Sequence, residues 1–276
     1  MILYYFKKVS KIFVQIFSLK KALFNFRKID KVVFVSAASK SHEKSLLQFI
    51  DSVAKFECEA TLFIYDLGMT TKTLNVINSH KRQFKIDVNL RRFEFKNYPS
   101  WVNIKNTNKG EWAWKSLILS SVRDELNDSN VANNCVLIWN DAGNQLISNI
   151  YLLIHYIKTY GFYSSSSDGV IEKWCHPLQL KSLKFSDKYL RKPMLNGALI
   201  GFYLGSNKAM ELLSKWTKYS LIRHVIAPTG SNRSNHRQDQ SLLTILAYLK
   251  KMAPSKYALR LSDDLILIHQ DIEKYL

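Results

Sequence analysis

Short apolar runs alternate along this chain with longer segments whose apolar residues recur at helical spacing. VVFVS (32–36) is β-branched and leads into SAASKSHEKSLLQFIDSVAKF, polar at its start and then helix-forming. TLFIYDLGM (61–69) is a second buried run, followed by the helical TKTLNVINSHKRQF, and NLRRFEF (89–95) alternates as a third strand would. GEWAWKSLILSSVRDEL (110–126) carries Trp114, Leu117, Ile118, Ser121 and Val122 at helical spacing, and VLIWND (136–141) predicts a fourth strand. This alternation predicts an α/β fold with a mostly parallel central sheet flanked by helices.

The second half is less regular. ISNIYLLIHYIKTYG (147–161) predicts a helix and SSSSDG (164–169) an exposed turn. NGALIGFYLG (196–205) predicts a strand and NKAMELLSKWTKYSLI (207–222) a helix. PTGSNRSN (228–235) is a polar loop running into a helix that opens at Asp239-Gln240, and LILIH (265–269) is a last apolar strand ending in His269.

In sheets of this kind ligands gather beyond the carboxyl ends of the strands, where Asp66 and Asp141 both stand. Asp141 follows four apolar residues and an asparagine, and Gly143 comes two positions later. Two readings are open. Asp141 stops the strand and stays solvated, or it is delivered to a hard divalent ion, Mn²⁺ or Mg²⁺, which takes oxygen ligands. In the second reading the small residues after Asp141 would let a diphosphate approach the backbone.

The formal charge of +18 narrows the partners to anionic ones: nucleic acid, lipid head groups or phosphorylated small molecules. Residues 1–31 hold eight Lys or Arg against one acid, Asp30. At helical spacing, residues 1–30 read as a basic amphipathic segment suited to an anionic membrane surface, or as an ordinary helix packed on the domain with its lysines outward. Lys20-Lys21 stand where a cleavage site would have to be, so no cleaved signal is expected. The apolar runs are too short for a membrane span. Cys58, Cys135 and Cys175 show no paired spacing and read as free thiols of a reducing, cytoplasmic compartment, Cys58 and Cys135 as core filler. Residues 31–276 are then one domain.

Seven ordered segments carry a family resemblance: IYDLGM (64–69), FEFKNYPSW (93–101), AWKSLIL (113–119), VLIWNDAG (136–143), KWCHPLQLKSL (173–183), NGALIGF (196–202) and IAPTGSNRSNHRQDQSLLTIL (226–246). Together they resemble a GT-A-type family of nucleotide-sugar glycosyltransferase-like proteins, many of them uncharacterised. The resemblance implies a GT-A-like, Rossmann-like fold and transfer of a hexose from a nucleotide-diphosphate sugar to a glycan or lipid-linked acceptor. It makes Asp141 a metal ligand, although the usual second acid of the motif is replaced by Gly143. His269 lies where related retaining transferases place a further ligand; a surface or capping histidine is the alternative.

By the same resemblance Lys115 contacts the donor diphosphate, rather than being a solvated helix lysine. Asp239 and Gln240 face the reacting sugar, with Asp239 orienting the acceptor, acting as base, stabilising charge at the anomeric carbon, or capping the helix. Asn196 and Gly197 approach the sugar. Ser36 and Ala37 lie nearest the nucleotide base, Asp66 serves base or ribose, and Arg233, His236 and Arg237 hold phosphate or acceptor or else form a solvated basic loop. His176-Pro177 lines the acceptor side. Stereochemistry stays open, leaning towards retention. Two other classes compete: a basic nucleic-acid-binding protein, against which stands the lack of any helix-turn-helix, zinc or RNA-recognition motif, and a non-catalytic sugar-binding relative, suggested by the missing second acid.

Overall fold

The computed structural model describes residues 31–83, 86–128 and 134–275 of the 276, so the amphipathic segment 1–30 lies outside the described residues. Its centre is a six-stranded sheet in the order β3-β2-β1-β4-β7-β6. The strands are β1 (Lys31–Ala38), β2 (Thr61–Asp66), β3 (Asp87–Arg92), β4 (Cys135–Asn140), β6 (Phe162–Val170) and β7 (Pro193–Tyr203). Strands β1 to β4 pair in parallel, and β7 runs antiparallel to both β4 and β6. Five strands therefore share one direction, as the alternation of elements predicts.

The strands divide their side chains between two cores. Val33, Val35, Leu137 and Trp139 point into one, whereas Phe34, Val136 and Ile138 point into the other, so β1 and β4 are buried on both faces. That is why they read as continuous apolar runs rather than alternating ones. Helix α1 (Glu43–Phe56) closes the second face with Leu46, Phe49, Ile50 and Val53, the spacing of a single helical stripe. Helices α2 (Thr71–Gln83), through Ile77, and α4 (Tyr151–Tyr160) share that face. Helices α3 (Trp114–Asp128), α5 (Asn207–Ser220) and α6 (Gln238–Leu249) cover the other.

Strand order reverses between β1 and β4, because the chain builds outwards from β1 to β2 and β3 before returning to β4 on its other side. The crevice beyond the carboxyl ends of β1 and β4 is thus the topological switch point, where open α/β sheets bind ligands. A two-stranded sheet of β5 (Gln145–Leu146) and β8 (Ile266–Leu267) stands next to it. LILIH is therefore mostly not strand: only Ile266 and Leu267 pair, and with β5 rather than the central sheet.

Other boundaries move as well. SSSSDG is only in part the exposed turn expected: it lies within β6, where Ser164 and Ser165 are buried and the Ser164 hydroxyl donates to the Asn196 carbonyl at 2.8 Å, whereas Ser166, Asp168 and Gly169 are exposed. Pairing with β7 holds Ser164 and Ser166 and is irregular from there to Val170. The third strand ends at Arg92, before FEF, and the helix over 110–126 starts only at Trp114. Cys58 is exposed rather than core filler, while Cys135 and Cys175 are buried; all three are free thiols. No described helix is long and apolar enough to cross a membrane.

Helix α4 packs on the sheet so closely that a Cβ at Gly201 would collide with the Ile157 side chain. Gly201→Val should overpack this contact and cost about 1–3 kcal/mol. Chemical denaturation measures it, and an unchanged midpoint would show that α4 can retreat from the sheet without penalty.

Candidate active site

Beyond the ends of β1 and β4 opens a cleft of about 490 Å³. Ala37, Ala38, Ser39 and His42 come to it from β1 and the turn that follows, and Asp141, Ala142 and Gly143 from the end of β4. Asn196, Gly197 and Ala198 of β7, Lys115 of α3 and Asp239 and Gln240 of α6 also line it. The crevice gathers residues that are widely separated in sequence.

Lys115 lies at its centre. It occupies the second position of α3, and its ammonium is 2.8 Å from Asp141 Oδ1 and 3.1 Å from Oδ2. It also donates to the Gly197 carbonyl at 3.1 Å and lies 3.9 Å from Asp239 Oδ2. Trp139 adds a ring face 5.6 Å away. Burial works against the charged amine, but the Asp141 and then the Asp239 carboxylate overcome it, so the Lys115 pKa is raised. The lysine is thus not a solvated helix lysine: it lines the cleft with its charge paired to two carboxylates.

Asp141 is fixed from several sides. Its backbone N–H donates to the Ala198 carbonyl at 2.9 Å, and Trp139 Nε1 donates to its Oδ1 at 2.6 Å. Residues i and i+2 point to the same side of an extended chain, which places the indole beside the carboxylate. Asn144, fully buried, donates to Asn140 Oδ1 and to the Ala198 carbonyl, both at 2.8 Å, and accepts from the His269 N–H at 3.2 Å. Trp139, Asn140 and Asn144 were not singled out from the sequence, although all three belong to the IWNDAGN stretch.

Asp239 stands in the first turn of α6, where the N-cap is Arg237 and makes no side-chain cap bond. Its carboxylate faces the cleft and also accepts from the Gln240 N–H at the helix start. Burial pushes its pKa up to about 7; Lys115 opposes the rise and Asp141 adds to it. Oδ2 has no hydrogen-bond partner among the described residues. Trp216 of α5 donates to the Asp239 carbonyl at 3.1 Å and so pins the start of α6. A Cβ at Gly197 would sit 3.3 Å from Gln240 Cβ and 3.4 Å from Asp239 Oδ2, so this glycine lets β7 pass under the helix start.

The remaining expected residues are distributed as follows. Ala37, Gly143, Asn196, Gly197, Gln240 and His269 line the cleft. Ser36, Asp66 and Arg237 do not. Ser36 is fully buried. Asp66 turns its carboxylate to the N–H groups of Gly68 and Met69, each at 2.7 Å, closing the loop after β2. The space that Gly143 leaves is taken by Asp271, whose carboxylate a Cβ there would strike. His176 caps the turn Pro177–Ser182 by accepting from the Leu178 N–H at 3.3 Å, and lies outside the lining.

Residues 108–112 also contribute, through Lys109 and Trp112. All five have φ between 49° and 66°, a left-handed turn in which only position 110 is glycine. Such backbone costs roughly 1–2 kcal/mol per non-glycine residue. A Cβ at Gly110 would meet the Val102 carbonyl.

The cleft offers a cation few protein donors. Among the described residues no three His, Cys, Asp or Glu side chains come together as a metal-binding group. The Asp141 side chain is 29% exposed and lines the cleft, as does His269. A hard ion thus fits only if substrate oxygens complete its shell, the arrangement Mg²⁺ commonly takes with phosphates.

A family model described as a protein of unknown function (DUF1647) matches residues 9–120. No curated protein matches. Mouse xyloside xylosyltransferase 1, solved in its apo form, is 10% identical, with 81% of this chain and 83% of that one covered and a TM-score of 0.50. The fold is GT-A-like. The galactosyltransferase LgtC, solved with donor and acceptor sugar analogues, is 13% identical over 78% of this chain and 70% of its own, with a TM-score of 0.47. The glycosyltransferase GlyE of Streptococcus pneumoniae TIGR4 is 9% identical over 82% of this chain and 46% of its own, with a TM-score of 0.49.

Two outcomes are expected. Lys115→Met leaves Asp141 and Asp239 facing each other without a counter-charge. It should cost about 2–4 kcal/mol in urea denaturation at neutral pH, less than a fully buried pair loses because Asp141 is partly solvated. A loss below about 0.5 kcal/mol would show that the carboxylates do not need the lysine. His236, fully buried with Nε2 against the Ile226 carbonyl at 2.8 Å, has its pKa lowered by burial from 6.5 to about 4. The unfolded chain then binds the extra proton first, so stability should fall as pH drops from about 6.5 towards 4, by up to about 3 kcal/mol. His236→Gln should flatten that part of the pH profile, and an unchanged slope would remove His236 as its source.

Proposed function

We propose that this chain is a glycosyltransferase that moves a hexosyl group from a nucleotide-diphosphate sugar to a glycan or lipid-linked acceptor. The observation that carries the reading is the Asp141–Lys115–Asp239 cluster on the floor of a cleft at the strand-order reversal. The GT-A-like fold supports the same class.

In this reading the nucleoside lies against the end of β1 at Ala37, and the sugar against Asn196, Gly197, Asp239 and Gln240. Bond breaking places positive charge on the anomeric carbon and negative charge on the departing diphosphate. Asp239, buried and without a hydrogen bond on Oδ2, presents a carboxylate to the carbon side. Lys115 holds that carboxylate and Asp141 in place, so little reorganisation is needed as charge develops. A Mn²⁺ or Mg²⁺ ion, held by Asp141 and His269 with diphosphate oxygens, would supply neutralisation of the leaving group. Gly197 and Gln240 bring the acceptor side of the cleft next to Asp239.

A thermal-shift screen of nucleotide sugars with and without Mn²⁺ tests this reading. One donor should raise the melting temperature only when the ion is present, and Asp141→Asn should erase that dependence and lower turnover by about 10²-fold or more. Full transfer by Asp141→Asn with undiminished Mn²⁺ response would remove Asp141 from the site. Absence of any shift across the donor panel would count against the transferase itself.

A further inference from the structure

Arg233 and Arg237 differ from the other described arginines in combining an aromatic ring contact with the lack of a carboxylate ion pair; Arg223 lacks the ion pair but also the ring. Arg91, Arg92, Arg123, Arg191 and Arg260 each form an ion pair with a carboxylate. Among the described residues neither Arg233 nor Arg237 does. Arg233 lies 4.7 Å from the centre of the Trp112 ring, and Arg237 lies 3.8 Å from that of Trp174. Stacking fixes both guanidinium planes and leaves their edges as donors.

Few of those donors are used. Arg233 Nη1 donates to Gln238 Oε1 at 3.2 Å, and Arg237 Nη1 donates to the Arg233 carbonyl at 3.3 Å. A guanidinium has five N–H groups, so most remain available. The two cations also face each other's charge: burial and then Arg233 lower the pKa of Arg237. Two neighbouring like charges, held on aromatic faces with no carboxylate in ion-pair contact and with Asp239 felt by Arg233 only at a distance, form a site completed by an anion from outside.

Position indicates which anion. Arg233 lines the cleft together with Trp112 and Gln240, whereas Arg237 and Trp174 lie just outside its lining. The pair therefore leads from Asp239 out of the cleft, and neither arginine belongs to the ends of β1 and β4 where the donor nucleotide is placed. We propose that Arg233 and Arg237 form a subsite that grips a carboxylate or phosphate carried by the acceptor. The inference rests on the transferase reading and adds to it a substrate class: an acidic acceptor.

Calorimetry on the full chain separates the sources of the anion. The probes are a glucuronate-containing tetrasaccharide, glucose 6-phosphate, neutral maltotetraose, and UDP and GDP as donor halves. At least one acidic probe should bind about tenfold more tightly than maltotetraose, and Arg233→Gln with Arg237→Gln should abolish that difference while changing UDP and GDP affinity less than about twofold. The Arg→Lys pair, which keeps the charge but not the fork, should fall between. Lys181→Gln with Lys184→Gln removes the same charge elsewhere and should leave every affinity as it was.

Equal binding of acidic and neutral probes by the parent chain would overturn the proposal. So would an acidic preference that survives in the double glutamine variant, or a matching loss for UDP and GDP, which would assign the arginines to the donor. The nucleotide-sugar screen decides the transferase reading separately, because it depends on Asp141 and not on these arginines.

Discussion

One buried ammonium holds this site together. Lys115 comes from α3, Asp141 from the end of β4, Gly197 from β7 and Asp239 from α6, and the lysine contacts all of them within 4 Å. Two carboxylates directed at one another would separate or take up a proton. A cation between them converts repulsion into a three-membered cluster, at the cost of removing Lys115 and Asp239 from water while Asp141 stays partly solvated. The cluster therefore specifies geometry more than it adds stability: with the carboxylates tied to Lys115, the four elements have one arrangement in which every charge is answered.

Around that cluster the protein spends aromatic and amide groups on orientation. Trp139 holds Asp141 from below, Trp216 holds the backbone of Asp239, and Asn144 links the loop after β4 to both β7 and His269. None of these side chains faces a substrate in the proposed reading. They make the reacting groups rigid before anything binds, which is the condition for electrostatic stabilisation to be effective.

Much of this was written in the sequence, and the reasons for the rest are physical. Strands β1, β2 and β4 were legible because burial on both faces demands unbroken apolar runs. Strand β6 was hidden because serine suits turns, and only pairing of Ser164 and Ser166 with β7 extends the strand into that stretch. Asp141, Lys115 and Asp239 came from motif resemblance, but their mutual contact had no local signal, being set by packing across 26 and more positions. The Asx-turn of Asp66 was readable from its Asp-Leu-Gly spelling, and it accounts for that carboxylate without a ligand. The purpose of Gly143 was not readable, since Asp271 reaches it from the far end of the described chain.

That last contact bears on how the protein is made. Asp271 and His269 form part of the wall beside Asp141, yet they are translated about 130 codons later. At bacterial-to-eukaryotic synthesis speeds, roughly 5–20 residues per second, many seconds separate the two. Strands β1 to β4 and their helices can pair during that interval, but the cleft lacks one side until residues 269–271 have followed. A growing chain thus holds Lys115 and Asp141 in place first, and completes the wall beside them only after Asp239, His269 and Asp271 have been added.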